Sequence, residues 1–168
     1  MRNFASLPQK KGFTLIELLL VIGIIAILAA IVIVAINPTK QLGNARDAQR
    51  RSDVNTILNA VYQYAIDNNG VLPGYLTGAT IGANYSICSC NTTTCAARTG
   101  AGSCGLPGNT MVNLRQLTGS YVVSIPKDPQ GAAAASGTYY LISKGNNSRI
   151  TVTAPNAEQT PGGISVTR

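Results

Sequence analysis

The sequence predicts an α+β fold: a long N-terminal helix, transmembrane in its first half and amphipathic in its second, packed on a small antiparallel β-sheet domain. Three observations predict it. Residues 18–36 form a run of nineteen without a charge; Val54, Ile57, Leu58, Val61 and Ala65 recur at helical spacing; and four short segments rich in β-branched and aromatic residues follow late in the chain. At 168 residues there is room for one domain with an appendage.

Composition removes several function classes. Only 11% of residues are charged against 45% hydrophobic, which excludes a disordered chain. The 17 glycines follow no triplet period, which excludes collagen. There is no histidine, so the commonest general base and the commonest metal ligand are both missing. No catalytic, cofactor or metal site is expected, and the chain is read as a non-enzyme. The formal net charge of +7 is not gathered into a nucleic-acid footprint. Arg2, Lys10 and Lys11 precede the apolar run, Lys40, Arg46, Arg50 and Arg51 follow it, and the other cations are scattered without interleaved aromatics. Nucleic acid is therefore not the main partner.

The first element is a basic leader, residues 1–12. The segment after it, residues 13–36, is long enough as a helix, at about 1.5 Å per residue, to cross a hydrocarbon core of roughly 30 Å. Apolar residues occupy every face, unlike the one-sided stripe of a soluble surface helix. A cleaved secretory signal fits poorly, because the apolar core is too long and no Ala-x-Ala pattern stands near its end. The flanking cations nearly balance and leave orientation open, whereas four downstream cysteines favour export of the C-terminal part.

Glu17 is the one ionisable side chain inside this segment. A carboxylate there costs on the order of 1–3 kcal/mol, so it marks a candidate functional residue with two open readings. Either it snorkels to the headgroups, or it meets a cation in apolar surroundings.

The stretch Lys10-Lys11-Gly12-Phe13-Thr14-Leu15-Ile16-Glu17, followed by the apolar run, resembles the N-terminus of type IV pilins and type II secretion pseudopilins. The resemblance implies that a membrane prepilin peptidase cuts between Gly12 and Phe13 and methylates the new N-terminus at Phe13. It implies that Glu17 neutralises the terminal amine of a neighbouring subunit during assembly. Partners would then be the peptidase, other copies and related pilin-like subunits, an inner-membrane assembly platform, and lipid before assembly. Residues 13–36 would be both anchor and filament core. The protein would sit in the cytoplasmic membrane as a single-pass precursor with its C-terminal domain outside the cytoplasm, then move into a pilus or a secretion pseudopilus.

Asn37-Pro38 predicts a break or kink, because proline lacks an N–H and disfavours helix at the residue before it. Helical pattern resumes over residues 40–69 within a stem taken as 37–70, and Asn69-Gly70 with Pro73 predicts its end. Asp47 with Arg50 or Arg51, and Arg50 with Asp53, are spaced as surface ion pairs worth a few tenths of a kcal/mol each on a solvated face. Tyr64, Asp67, Asn68, Asn69, Gly70 and Pro73 also resemble the end of a pseudopilin stem.

Residues 71–168 make the exported domain. Strands are expected at 121–125, 138–143, 149–153 and 164–167, with a hairpin turn at Gly145-Asn146-Asn147 and a helical turn at 113–117. Pro126-Lys127-Asp128-Pro129 reads as a rigid turn, and it resembles a pseudopilin turn that precedes a Tyr-rich strand. No calcium is assigned, since Asp128 has no neighbouring acid to help it. Cys88, Cys90, Cys95 and Cys104 lie in a Gly/Thr/Asn-rich loop and are disulfide candidates. Cys88–Cys95 with Cys90–Cys104, and Cys88–Cys104 with Cys90–Cys95, both remain open; a four-thiolate zinc site is the rival, without Cys-x-x-Cys knuckles. Asn84, Asn91 and Asn146 stand in glycosylation sequons, a short and weak pattern.

The function expected is a structural subunit of a type IV pilus-like filament. The alternative is a single-pass anchored extracytoplasmic binding protein; a tethered enzyme is opposed by the absence of histidine and by the few acids beyond the stem.

Overall fold

The computed structural model describes residues 12–73, 76–88, 110–131 and 137–168. In chain order these form helices α1 (Leu15–Ile36) and α2 (Pro38–Asp67), strands β1 (Asn84–Cys88) and β2 (Thr110–Asn113), a 3-10 turn at Arg115–Leu117, and strands β3 (Gly137–Lys144), β4 (Ile150–Ala154) and β5 (Ile164–Thr167). The chain divides into two compact units with the boundary between Gln41 and Leu42.

In the first unit, α1 is apolar on all sides and none of its residues is buried. At 22 residues it is long enough to cross a membrane. The break expected at Asn37-Pro38 is present. Asn37 adopts the left-handed conformation that ends α1, with φ 47°, and Pro38 opens α2 at the one helical position where a missing N–H costs nothing. Asn37 also starts α2: its carbonyl accepts from the backbone N–H groups of Lys40 and Gln41 at 3.1 and 3.3 Å. One residue thus closes one helix and opens the next.

In the second unit, α2 ends at Asp67, where Asn69 and Gly70 take positive φ and the Gly70 N–H reaches back to the Ala65 carbonyl at 2.7 Å. This is the expected stop. The stripe Val54, Ile57, Leu58, Val61 and Ala65 is buried against the sheet in a single core with Ile87, Val112, Leu117, Tyr140, Ile142, Ile150 and Val152. Strand β4 alternates between buried and half-buried residues, and β3 buries Thr138, Tyr140 and Ile142, so each presents one face to the helix. Pairing carries that face across the sheet: Tyr85 lies opposite Ile142, Ile142 opposite Val152, and Val152 opposite Val166.

The sheet has five strands in the order β2-β1-β3-β4-β5. It is mixed, because β1 and β2 run parallel while the other pairs are antiparallel, which corrects the purely antiparallel expectation. Parallel neighbours need a crossover of a dozen or more residues. Here residues 89–109 supply it, and they include Cys90, Cys95 and Cys104. Strands β1 and β2 were not anticipated. They flank that Gly/Thr/Asn-rich segment and are too short for alternation to stand out. The strand expected at 121–125 is absent: Val122 makes one isolated bridge to Thr118, Val123 is 98% exposed, and the segment is a turn. The other expected strands, the 145–147 hairpin turn and the helical turn at 115–117 are present.

The β4–β5 hairpin depends on Gly163. Its φ is +88°, and a Cβ there would sit 2.8 Å from the Ala154 carbonyl oxygen. Gly163→Ala is expected to destabilise the second unit by about 1–3 kcal/mol, read as a lower urea midpoint of the full chain in detergent micelles. An unchanged midpoint would show that the hairpin relaxes at no cost.

Candidate functional site

The first candidate centres on the start of α1. Thr14 is the N-cap, with an extended backbone, and Glu17 stands at the third helical position. The Thr14 backbone N–H and hydroxyl both donate to Glu17 Oε2, at 2.8 and 2.7 Å, while the Glu17 N–H donates to Thr14 Oγ1 at 3.3 Å. This reciprocal capping box satisfies two of the backbone donors that every helix start leaves open. The carboxylate also lies at the positive end of the helix dipole. Glu17 therefore has a polar partner three residues away within its own chain, a role the sequence reading missed. The signal was present as Thr14-x-x-Glu17 ahead of an apolar run. Among the described residues no hydrogen bond engages Glu17 Oε1.

Phe13 is 90% exposed, and a Cβ on Gly12 would meet nothing within 4 Å. Among the described residues, nothing in the packing requires glycine at that position. Of the cysteines, Cys88 is buried at the end of β1, whereas Cys90, Cys95 and Cys104 lie outside the described residues, and with them the pairing alternatives.

The second cluster is in the globular unit, and it overturns the expected solvated ion pairs. Arg50 is fully buried, and all five of its N–H donors are engaged. Its Nε and Nη2 donate to the two Asp128 oxygens at 2.7 and 3.1 Å, and Nη2 also reaches Gln130 Oε1 at 2.9 Å. Its Nη1 donates to Asp47 Oδ1 at 2.7 Å and to Glu158 Oε1 at 3.2 Å. The expected Arg50–Asp53 pair is not formed. Asp53 instead accepts from Gln49 Nε2 and from the buried Tyr140 hydroxyl, at 2.8 and 2.7 Å. Arg51, expected as a partner of Asp47, reaches only Thr160 Oγ1 at 3.5 Å.

Asp47 takes the backbone N–H groups of Glu158 and Gln159 at 2.9 and 2.8 Å. Gly43 sits one turn earlier, and a Cβ there would approach Gln159 Nε2 to 2.8 Å, so the glycine lets that loop close on the helix. Glu158 is clamped in turn by Arg46 through Nε and Nη2. The network ties α2 to the 126–131 turn and the 155–160 loop. Both Asp128 oxygens face Arg50, so the turn is held by a cation belonging to the chain itself. The missed signal is periodic: Gly43, Asp47, Arg50, Val54, Ile57 and Val61 follow steps of four, three, four, three and four, which places the charges on the buried face.

Hydrogen bonds set the ionisation of this cluster. The neighbouring carboxylates, Asp128 first, hold the Arg50 guanidinium more firmly protonated than usual against the opposing effect of burial. Burial raises Asp47, but the two backbone donors and Arg50 outweigh it and leave its carboxyl below the ordinary range. Arg46 lowers Glu158 in the same way. Burial, and then Asp53, push the Tyr140 hydroxyl up.

Breaking a buried pair strands a charge, so Arg50→Met is expected to cost about 3–5 kcal/mol, with part recovered in the Arg50→Met/Asp128→Leu double variant; urea unfolding of the full chain in detergent measures both. A single-variant loss under 1 kcal/mol would assign the network no structural weight. Because the folded pKa values of Asp47 and Glu158 lie below the unfolded ones, their contribution is complete above the unfolded values of 3.8 and 4.5 and is lost as pH falls through the folded values. The wild-type unfolding midpoint should thus fall between pH 5 and pH 3, and fall less in Asp47→Asn; parallel profiles would contradict the assignment.

Comparison with known proteins matches one family model, the prokaryotic N-terminal methylation motif, over residues 7–33. No curated protein and no solved structure matches the chain. The match covers the leader end, Gly12, Phe13, Thr14, Glu17 and most of α1. The motif thus spans the leader end and most of an apolar helix that buries none of its residues, and it is the signature of type IV pilins and pseudopilins.

Proposed function

We propose that the protein is a non-catalytic structural subunit of a type IV pilus-like filament, either a pilus or a type II secretion pseudopilus. The precursor is held in the cytoplasmic membrane by α1, cut by a prepilin peptidase between Gly12 and Phe13, and methylated on the new Phe13 amine. The mature chain then assembles with copies of itself and related subunits, delivered by an inner-membrane assembly platform.

The observation that carries this reading is a single carboxylate at the start of an apolar helix that buries none of its residues within the chain. Such a helix must be covered by lipid or by other helices, and the two coverings are nearly equal in hydrophobic terms. The exchange can therefore be steered by polar contacts. Glu17 Oε2 is taken by Thr14, while Oε1 has no hydrogen bond among the described residues and can accept the Phe13 amine of a neighbouring subunit. In apolar surroundings that attraction is much stronger than in water, and it would set the register between subunits. Gly12 fits the processing step: among the described residues a Cβ there would meet nothing within 4 Å, so the site is open to a peptidase.

The globular unit lies outside the cytoplasm in this reading. There the four cysteines form two disulfides, which staple the crossover between β1 and β2. Closing a loop of about 15 residues contributes roughly 3 kcal/mol in the chain-entropy estimate.

Mass spectrometry of the mature N-terminus is the deciding measurement. A chain that begins at N-methylated Phe13 is expected, with Glu17→Ala still membrane-inserted but reduced at least tenfold in polymer. A mature chain that begins after Ile36, or normal polymer from Glu17→Ala, would overturn the proposal.

A further inference from the structure

A groove of about 640 Å³ opens beside the C-terminal end of α2, with Tyr62, Ile66, Val71 and Leu72 among its apolar lining and Thr77 and Lys144 on its polar side. Its size and mostly apolar lining are those of a binding site. Ile66 is 77% exposed and Val71 52%, so no described part of the chain covers them fully. Lys144 is the one charged residue of the lining. Its Nζ donates to the Thr77 carbonyl at 3.2 Å, and no carboxylate among the described residues pairs with it.

The chain has six carboxylate side chains, and the structure describes all of them. Glu17 is in the capping box, Asp47, Asp53 and Asp128 are buried, and Glu158 is clamped between Arg46 and Arg50. Asp67 alone in the globular unit is an exposed acid outside the ion-pair network, and it accepts from the Tyr121 hydroxyl at 2.9 Å. Cations crowd the groove end of the sheet. Arg149 follows the β3–β4 turn, and Arg168 is backbone-paired with Ile150, which itself lies opposite Lys144. A second copy of the chain has little negative charge to bring to such a surface.

We propose that this groove docks a segment of a different protein, one that presents an apolar side chain next to an Asp or Glu carboxylate. The apolar side chain fills the space over Ile66, Val71 and Leu72, and the carboxylate takes a charge-assisted hydrogen bond from Lys144 Nζ. The small area fits a transient contact. The inference does not rest on the filament reading, since no residue of the N-terminal motif lies in the groove.

The test selects a phage-displayed library of seven random residues on the full chain in detergent micelles and measures the best peptide by fluorescence polarisation. The expected peptides carry Asp or Glu beside Leu, Ile, Val or Phe, and their Kd rises at least tenfold in Lys144→Gln and in Ile66→Trp, which fills the groove, but not in Arg115→Gln. Ile66 is solvent-facing, and near-UV circular dichroism checks that each variant is folded. Failure to select any peptide, peptides without an acid, or binding kept by both groove variants would overturn the proposal. Self-association of the full chain that is lost in both Asp67→Asn and Lys144→Gln would overturn it in favour of a second copy.

Discussion

One guanidinium holds the globular unit in its particular shape. Arg50 is removed from water altogether, and a cation in that position is tolerable only because each of its N–H groups has a partner. Those partners come from three separate stretches of chain. The apolar half of the α2 stripe fixes which face of the helix meets the sheet, but apolar contact alone permits sliding. The ionic half does not, because a shift of one residue would leave a carboxylate or an N–H unpaired in the interior. The division of labour along one helix face follows: hydrophobic burial toward the C-terminal end supplies cohesion, and the charged end supplies registration.

The first unit works by the opposite logic. Helix α1 buries none of its side chains among the described residues, so the environment of its apolar surface must come from elsewhere. What the chain does provide is a local cap at each end. Thr14 and Glu17 satisfy the start, and Asn37 ends the helix in the left-handed conformation. A helix capped in this way keeps its backbone hydrogen bonds whether lipid or protein surrounds it. That independence is what a segment needs if it is to leave a bilayer without unfolding.

The helices, their boundaries and the membrane-length run were readable from sequence because periodicity and punctuation are local properties. Pro38, Gly70 and Pro73 fixed the ends, and Val54 to Ala65 fixed the buried face. The β3–β4 hairpin and β5 were readable from β-branched composition and a Gly-Asn turn. Strands β1 and β2 were not. Each is short, and their parallel pairing is a long-range fact that no window of neighbouring residues contains. The ion network was hidden for a different reason. Asp47 and Arg50 sit at positions the periodicity already marks as buried, but charge is ordinarily taken as a sign of exposure. Asp128 and Glu158, their partners, are separated from the helix by most of the domain's length, so only the folded chain brings the pairs together. The match to the methylation motif covers residues 7–33 and is silent on all of this.

Parallel pairing at one margin of the sheet has its own consequence. Strand β2 joins only after the long 89–109 excursion has returned, and loop-closure entropy grows slowly with length, at about 0.6 kcal/mol for each doubling. The excursion can therefore lengthen or shorten at small thermodynamic penalty, while the stem and the four remaining strands stay as they are. Variation in length is thus confined to one margin of the sheet, at β2, and leaves the packing of α2 on the other strands untouched.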